Sequence, residues 1–211
     1  MKTVFVNPER CIGCRQCEFA CAVEHSASRD PVSAVFESIP PRSRIHVMPG
    51  RAGDTSFPNR CRHCNPAPCE RVCPTGAISR DPRHDLVLVA AQRCIACAMC
   101  AMVCPFDAVT FHDQGNGMPA RVTAIKCDGC PDRVTAGRKP ACVEACKTGA
   151  LVYGELNELI AEGRAREASV VLTSAAHTEA ESARPPAHVG AWREWARATT
   201  DLNKGVRHDH H

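Results

Sequence analysis

Aromatic residues are scarce in this chain: two Trp, one Tyr and six Phe make up 4% of its 211 residues. The hydrophobic share of 44% is itself inflated, because it counts sixteen cysteines. A chain this poor in ordinary core material needs another organising element. Bound metal can serve, since metal binding is coupled to folding. Long apolar runs are also missing. Nothing approaches the roughly 20 consecutive apolar residues of a transmembrane helix, so direct membrane insertion is not expected. The opening MKTVFVNPER leads straight into a strand-like segment and lacks the apolar stretch of a secretory signal. The expected compartment is the cytoplasm, with export alongside a signal-bearing partner left open. A nucleophile set beside its base and a nucleotide-binding fingerprint are absent too, so the chain is not expected to be a catalyst.

Cysteine is what the sequence has in excess, and it falls into four groups of four with none left over. Group one is CIGCRQCEFAC, with Cys11, Cys14, Cys17 and Cys21. Group two is CRHCNPAPCERVCP, with Cys61, Cys64, Cys69 and Cys73. Group three is CIACAMCAMVCP, with Cys94, Cys97, Cys100 and Cys104. Group four is CDGCPDRVTAGRKPACVEAC, with Cys127, Cys130, Cys142 and Cys146. Disulfides are rare in the cytoplasm, which favours metal or redox chemistry for such a set.

The flanks repeat as well. Strand-like runs precede the groups: TVFV, RIHVM, LVLV and RVTAI. A turn and a further strand follow groups two to four, in PTGAIS, PFDAVTF and KTGALVY. AISRDPRHDLVLV reads as two strands joined at Asp-Pro, and AVTFHDQGNGMPARVTAI as a longer hairpin with Gly115 and Gly117 at its tip. Residues 22–60 read as irregular, with one strand near Arg44 to Met48.

Groups one and three carry the spacing C-x-x-C-x-x-C-x-x-x-C of bacterial 4Fe–4S ferredoxins, in which the fourth cysteine ligates the other cluster of a pair. Two-residue gaps let a loop curl around one face of a cube with its N–H groups turned to the sulfurs. The fourth cysteine sits on a short helix and points to a neighbouring cube. Proline, as at Pro105, then ends the helix. Group two has a longer middle gap but keeps Cys-Pro. Group four places eleven residues between Cys130 and Cys142, a spacing that also suits a tetrahedral zinc site. The C-x-x-x-C-x-x-C pattern that leaves one iron open occurs nowhere. Closed clusters move electrons and do not bind substrate. Charge is read accordingly. The formal +3 hints at an anionic partner. Counting sixteen thiolates against four 2+ cluster cores brings it to about −5, and the case for nucleic acid lapses.

Through VNPERCIGCRQCEFACAVEHS, CRHCNPAPCERVCPTGAI, CIACAMCAMVCPF and the split CDGC…CVEACKTGAL, the chain resembles the four-cluster ferredoxin-like subunits of the dimethyl sulfoxide reductase, formate hydrogenlyase and carbon monoxide dehydrogenase systems. Related small subunits serve tungsten aldehyde oxidoreductases. The resemblance covers residues 1 to about 154. It implies a nested pairing of groups, two with three and one with four. The implied ligand sets are Cys11, Cys14, Cys17 with Cys146; Cys127, Cys130, Cys142 with Cys21; Cys61, Cys64, Cys69 with Cys104; and Cys94, Cys97, Cys100 with Cys73. Ala22 and Lys147 stand where groups two and three have proline, a departure in the outer pair.

A basic residue precedes the first cysteine of every group: Arg10, Arg60, Arg93 and Lys126. Positive charge there either raises a cluster's potential or balances charge on a solvated loop. The group four loop PDRVTAGRKPA is a docking surface or a solvated insertion. His63, between two ligands of group two, is expected to hydrogen-bond or lie exposed, not to ligate. The C-terminal region reads as two helices. ELNELIAEGRARE carries Leu156, Leu159 and Ile160 on one face. HVGAWREWARATTDL carries Trp192 and Trp195, which either pack on the body or meet a partner. The closing RHDHH is expected to be disordered.

The expected architecture is α+β: an outer ferredoxin-like lobe (residues 1–60 and 121–154), an inner lobe inserted in it (61–120), and a helical C-terminal extension with a disordered tail (155–211). The expected function is one-electron relay through four 4Fe–4S clusters within a hetero-oligomeric oxidoreductase. Partners in view are a carbon monoxide dehydrogenase, a tungsten or molybdenum enzyme such as aldehyde oxidoreductase or formate dehydrogenase, a hydrogenase, and an NAD(P)-linked flavoprotein. The alternatives are a freely diffusing polyferredoxin and a zinc-binding structural module.

Overall fold

The computed structural model describes residues 2–50, 55–113 and 121–182, with isolated helical positions at 191, 194, 195 and 197. It is mixed α and β, as expected. The chain forms two compact units, Met1–Leu156 and Asn157–His211.

Among the described residues of the first unit, strands pair only in twos, always antiparallel. β1 (Lys2–Val6) pairs with β8 (Leu151–Glu155), placing Val4 opposite Tyr153. β2 (Ile45–Pro49) pairs with β3 (Ser56–Arg60). β4 (Ile78–Asp81) pairs with β5 (Leu86–Val89), and β6 (Thr110–Asp113) with β7 (Val122–Ile125). The last ribbon joins residues on either side of position 120. Two-stranded ribbons are marginal alone and here pack against short helices: α1 (Gln16–Glu24), α2 (Pro68–Arg71), α3 (Met99–Met102), α4 (Pro131–Thr135) and α5 (Ala141–Ala145). Each helix carries a cysteine or directly follows one.

The strand expected near Arg44 to Met48 has a partner that the sequence reading missed, β3. Pro58 hid it, because proline cannot donate to a ladder and demotes a strand-like run. Both strands of a two-stranded ribbon are edges, where proline is tolerated. Pro58 lies opposite Val47 and is fully buried.

Two cores result, and cysteine is part of both. One contains Val4, Ile45, Val47, Val143 and Leu151 with Cys17, Cys21 and Cys142. The other contains Ala67, Ala77, Ile78, Val87 and Ala124 with Cys94 and Cys100. The first draws on both ends of this unit, the second on its middle. Sulfur and small aliphatics thus take the place of the missing aromatics.

α6 (Leu156–Ser182) is longer than the helix expected from ELNELIAEGRARE. The sequence after Glu167 is rich in alanine and has neither glycine nor proline before Pro185, so nothing stops the helix. Ile160, expected on one face with Leu156 and Leu159, is 38% exposed, and Trp195 is exposed. Trp192, the Gly115/Gly117 tip and RHDHH lie outside the described residues. No helix among the described residues is long and apolar enough to cross a membrane.

Candidate metal centres

All four cysteine loops share one backbone device. The second residue after the first cysteine is left-handed in each: Gly13 (φ 70°), His63 (φ 52°), Ala96 (φ 55°) and Gly129 (φ 78°). A left-handed residue beside right-handed ones turns successive N–H groups into a concave nest that suits anions and iron–sulfur groups; in group four Cys130 (φ 54°) is left-handed as well. Only glycine adopts this freely, so Ala96 and His63 carry strain. Groups one and three repeat the device at Arg15 (φ 57°) and Ala98 (φ 63°), where α1 and α3 begin. The N–H of His63 donates to Cys61 Sγ, and that of Ala96 to Cys94 Sγ, both at 3.4 Å. Other main-chain N–H groups reach sulfur from outside the loops: Ala124 to Cys94 (3.4 Å), Arg44 to Cys21 (3.3 Å), Ala108 to Cys104 (3.5 Å) and Leu151 to Cys146 (3.4 Å).

All sixteen cysteines are free thiols, and the fold brings many of them near one another across groups, though among the described residues nothing places Cys14 or Cys64 beside a cysteine of another group. Cys17 shares a core with Cys11 and Cys146 packed against it, and the charges of Cys146 and Cys11 both bear on it. Cys142 feels Cys127, Cys21 and Cys130. Cys69 feels Cys61 and Cys104. Cys73, Cys94, Cys97 and Cys100 line one pocket, with Thr75, Ile78, Phe111 and Ala124. Electrostatic influence also runs between these gatherings: the charge of Cys127 bears on Cys61, and that of Cys69 on Cys100. Cys14 and Cys97 are the exposed members.

Burial pushes the Cys17 and Cys130 thiols up to about 12, and Cys142 well above its ordinary value. Such thiols stay protonated unless a metal replaces the proton. Cys73 and Cys146 go the other way. Burial opposes their charge, but the main-chain N–H of Ile78 and the Thr75 hydroxyl, or of Leu151 and Thr148, outweigh it and lower them.

The four basic residues divide into two kinds. Arg60 and Lys126 are 3% and 4% exposed. Arg60 Nη2 donates to Val4 O at 2.7 Å and Nη1 to Cys127 Sγ at 3.6 Å. Lys126 Nζ donates to Val87 O and, at 3.2 Å, to Cys127 O. Arg10 and Arg93 are exposed. Arg93 Nη2 donates to Thr75 O (2.9 Å) and lies against Gly76, while Arg10 lies against Gly149. Both glycines have positive φ, and a Cβ on either would crowd the guanidinium.

Two further networks were not foreseen. His25 Nδ1 donates to Cys21 O (2.7 Å) and Nε2 to Asp128 Oδ2 (3.1 Å), while Arg44 Nη1 reaches the same carboxylate (2.6 Å). Burial would lower His25, but Asp128 outweighs it and holds the ring up at about 10. Burial likewise opposes the charge of Asp128, which His25 and Arg44 nevertheless hold well below the usual carboxylate range. The group four loop is anchored near its start by Arg133, although Asp132 beside it is exposed. Arg133 in α4 is buried and binds Glu24 (2.8 Å) and Glu144. Residues 135–139 beyond it are exposed.

Thiols gathered across groups, N–H nests and raised thiol pKa values together suit an anionic iron–sulfur group. Two buried donors, Arg60 Nε and His63 Nε2, lack any protein acceptor among the described residues, as expected where cluster sulfur is the acceptor.

Comparison with known proteins agrees. Residues 54–156 match the description "4Fe-4S dicluster domain", and residues 4–21 "4Fe-4S binding domain". An iron-sulfur protein of Rhodospirillum rubrum is 40% identical over 173 residues, 78% of this chain and 89% of its own length. The electron transport protein HydN of Escherichia coli is 40% identical over 177 residues, 78% of this chain and 96% of its own. The B subunit of the anaerobic dimethyl sulfoxide reductase of Escherichia coli is 35% identical over 170 residues, 74% of each protein. The protein is thus a ferredoxin-type carrier of 4Fe–4S clusters, and it belongs to the family of ferredoxin-like electron-transfer subunits that includes these relatives. It transfers electrons and is not itself the catalyst.

Proposed function

We propose that the chain holds four 4Fe–4S clusters in crossed sets and relays single electrons along them between a catalytic oxidoreductase subunit and a second redox partner. The sets are Cys11, Cys14, Cys17 with Cys146; Cys127, Cys130, Cys142 with Cys21; Cys61, Cys64, Cys69 with Cys104; and Cys94, Cys97, Cys100 with Cys73. The observation that carries this reading is the crossing itself: Cys146 bears on Cys17, while Cys142 neighbours Cys21. A zinc site at group four would instead keep Cys146 with Cys127, Cys130 and Cys142. When bound, a 4Fe–4S cluster supplies a one-electron redox change with little movement of its ligands. The protein's own task is to fix position and potential.

The charge of Cys127 bearing on Cys61, and that of Cys69 on Cys100, supports a linear order. The Cys11 and Cys94 sets stand at its ends, and the Cys127 and Cys61 sets in its middle. Exposure of Cys14 and Cys97 agrees, since electrons enter and leave where a ligand meets the surface. The two cores support an inner ferredoxin-like lobe (61–120) inserted in an outer one, except that β7, expected in the outer lobe, pairs with β6 and gives Ala124 to the inner core. Arg60 and Lys126 raise the potentials of the central clusters by burial beside them; Arg10 and Arg93 act more weakly through solvent. The catalytic partner is a molybdenum or tungsten enzyme, a hydrogenase or a carbon monoxide dehydrogenase. The name of the reductase B subunit supports an oxidoreductase setting and that of HydN an electron-transport role, and the cytoplasm is the setting proposed.

Anaerobic isolation of the untagged chain from its native cells tests this function. The expected result is co-elution with a large oxidoreductase subunit whose substrate bleaches the iron–sulfur absorbance. A chain that elutes alone, and whose clusters no co-purifying enzyme reduces, would be a freely diffusing carrier instead.

A further inference from the structure

His63 occupies a position where the other loops offer no such side chain. Its counterparts are Gly13, Ala96 and Gly129. A β-carbon at φ 52° is unfavourable, so the ring is held there against a backbone cost. Its orientation is fixed. Val87 donates its main-chain N–H to His63 Nδ1 at 3.0 Å. A nitrogen that accepts carries no proton, so the proton of the neutral ring sits on Nε2. That N–H is buried without a protein acceptor among the described residues, and the residue is only 7% exposed. Arg60 Nε is a second such orphan. Both side chains border the junction where Arg60 meets Cys127 Sγ and Lys126 meets Cys127 O. Buried donors almost always have a partner. The ligand sets proposed above would put sulfur of the central clusters beside them, and water in the cavity that both side chains also line is the competing acceptor.

We infer that His63 Nε2–H and Arg60 Nε–H donate hydrogen bonds to cluster sulfur at the junction between the Cys61 and Cys127 sets, making His63 a potential-setting residue and not a ligand. This rests on the ligand sets proposed above. A donor to sulfur favours the more negative, reduced cluster, so the pair makes the middle of the relay easier to reduce than it would otherwise be. Group two alone has this donor, which distinguishes its cluster from the other three.

The test uses the intact holoprotein with its iron content measured first. Four clusters by iron and sulfide keep the proposed function in place; a shortfall of clusters in folded protein removes it and this inference with it. On protein labelled with 15N only in the imidazole ring of histidine, hyperfine spectroscopy of the reduced clusters should detect a weakly coupled nitrogen with an exchangeable proton that disappears in His63→Gln, which separates it from His25 beside Cys21. Its absence, with all clusters present, would overturn the inference alone. In potentiometric titration, His63→Leu should make one cluster about tenfold harder to reduce, roughly 59 mV for one electron, whereas His63→Gln, which can still donate, should recover part of the shift. Equal midpoints in Leu, Gln and wild type would show that the donor faces water.

Discussion

The loops of groups one and three and those of groups two and four share one backbone turn in opposite surroundings. Group one exposes Cys14 beside Ile12 (72% exposed), and group three exposes Cys97 beside Ile95 (57%) and Met102 (78%). The basic residues ahead of these loops, Arg10 and Arg93, lie in solvent. Groups two and four bury Cys61 and Cys130 and place Arg60 and Lys126 in the interior. The same nest therefore serves two purposes. At the ends it presents a ligand among apolar side chains, where a partner can approach. In groups two and four it adjoins buried fixed charges, which act at lower dielectric and are screened less by salt than the exposed pair.

The largest effects separating the two regions should come from the ligands. Cys130→Ser and Cys14→Ser should each lower iron from about sixteen to about twelve per chain. The buried change should also lower the thermal midpoint far more, because Cys130 sits in the interior and Cys14 at the surface; iron analysis and anaerobic melting check both. Next are the buried cations. Arg60→Leu strands the Val4 carbonyl and should cost about 1–3 kcal/mol, measured by denaturant unfolding of the holoprotein, and should lower a central midpoint. Arg93→Ala should shift an end cluster less than tenfold in its reduction equilibrium, under about 59 mV, and high salt should erase the difference. A shift as large as that of Arg60→Leu would break the distinction between ends and middle. Smallest in its effect on the isolated protein is Met102→Asp. It should leave every midpoint in place and slow electron exchange with a partner docking at the Cys97 end, as followed by stopped-flow absorbance.

Much of this arrangement is legible in the sequence, because cluster loops are local. Spacing of two residues marks each nest, glycine marks the left-handed position in groups one and four, and TG after Cys73 and Cys146 marks the turn on which Arg93 and Arg10 rest. The left-handed Ala96 and His63 leave no compositional sign, since N–H···S contacts at both, and burial at His63 alone, impose their conformation. β3 was hidden by Pro58, and the length of α6 by treating the helix as ending with its apolar face. The His25–Asp128–Arg44 network and the buried Arg133 depend on contacts between residues about a hundred positions apart. Only the folded chain brings those together. The four basic residues look equivalent in sequence, and burial divides them.

Iron, acid-labile sulfide and zinc determined together on anaerobically prepared, folded protein, with spin quantitation of the fully reduced state, test the four-cluster relay most directly. About sixteen irons, as many sulfides and magnetically interacting spins are predicted. Stoichiometric zinc, or half that iron in a chain with its native fold intact, would contradict it.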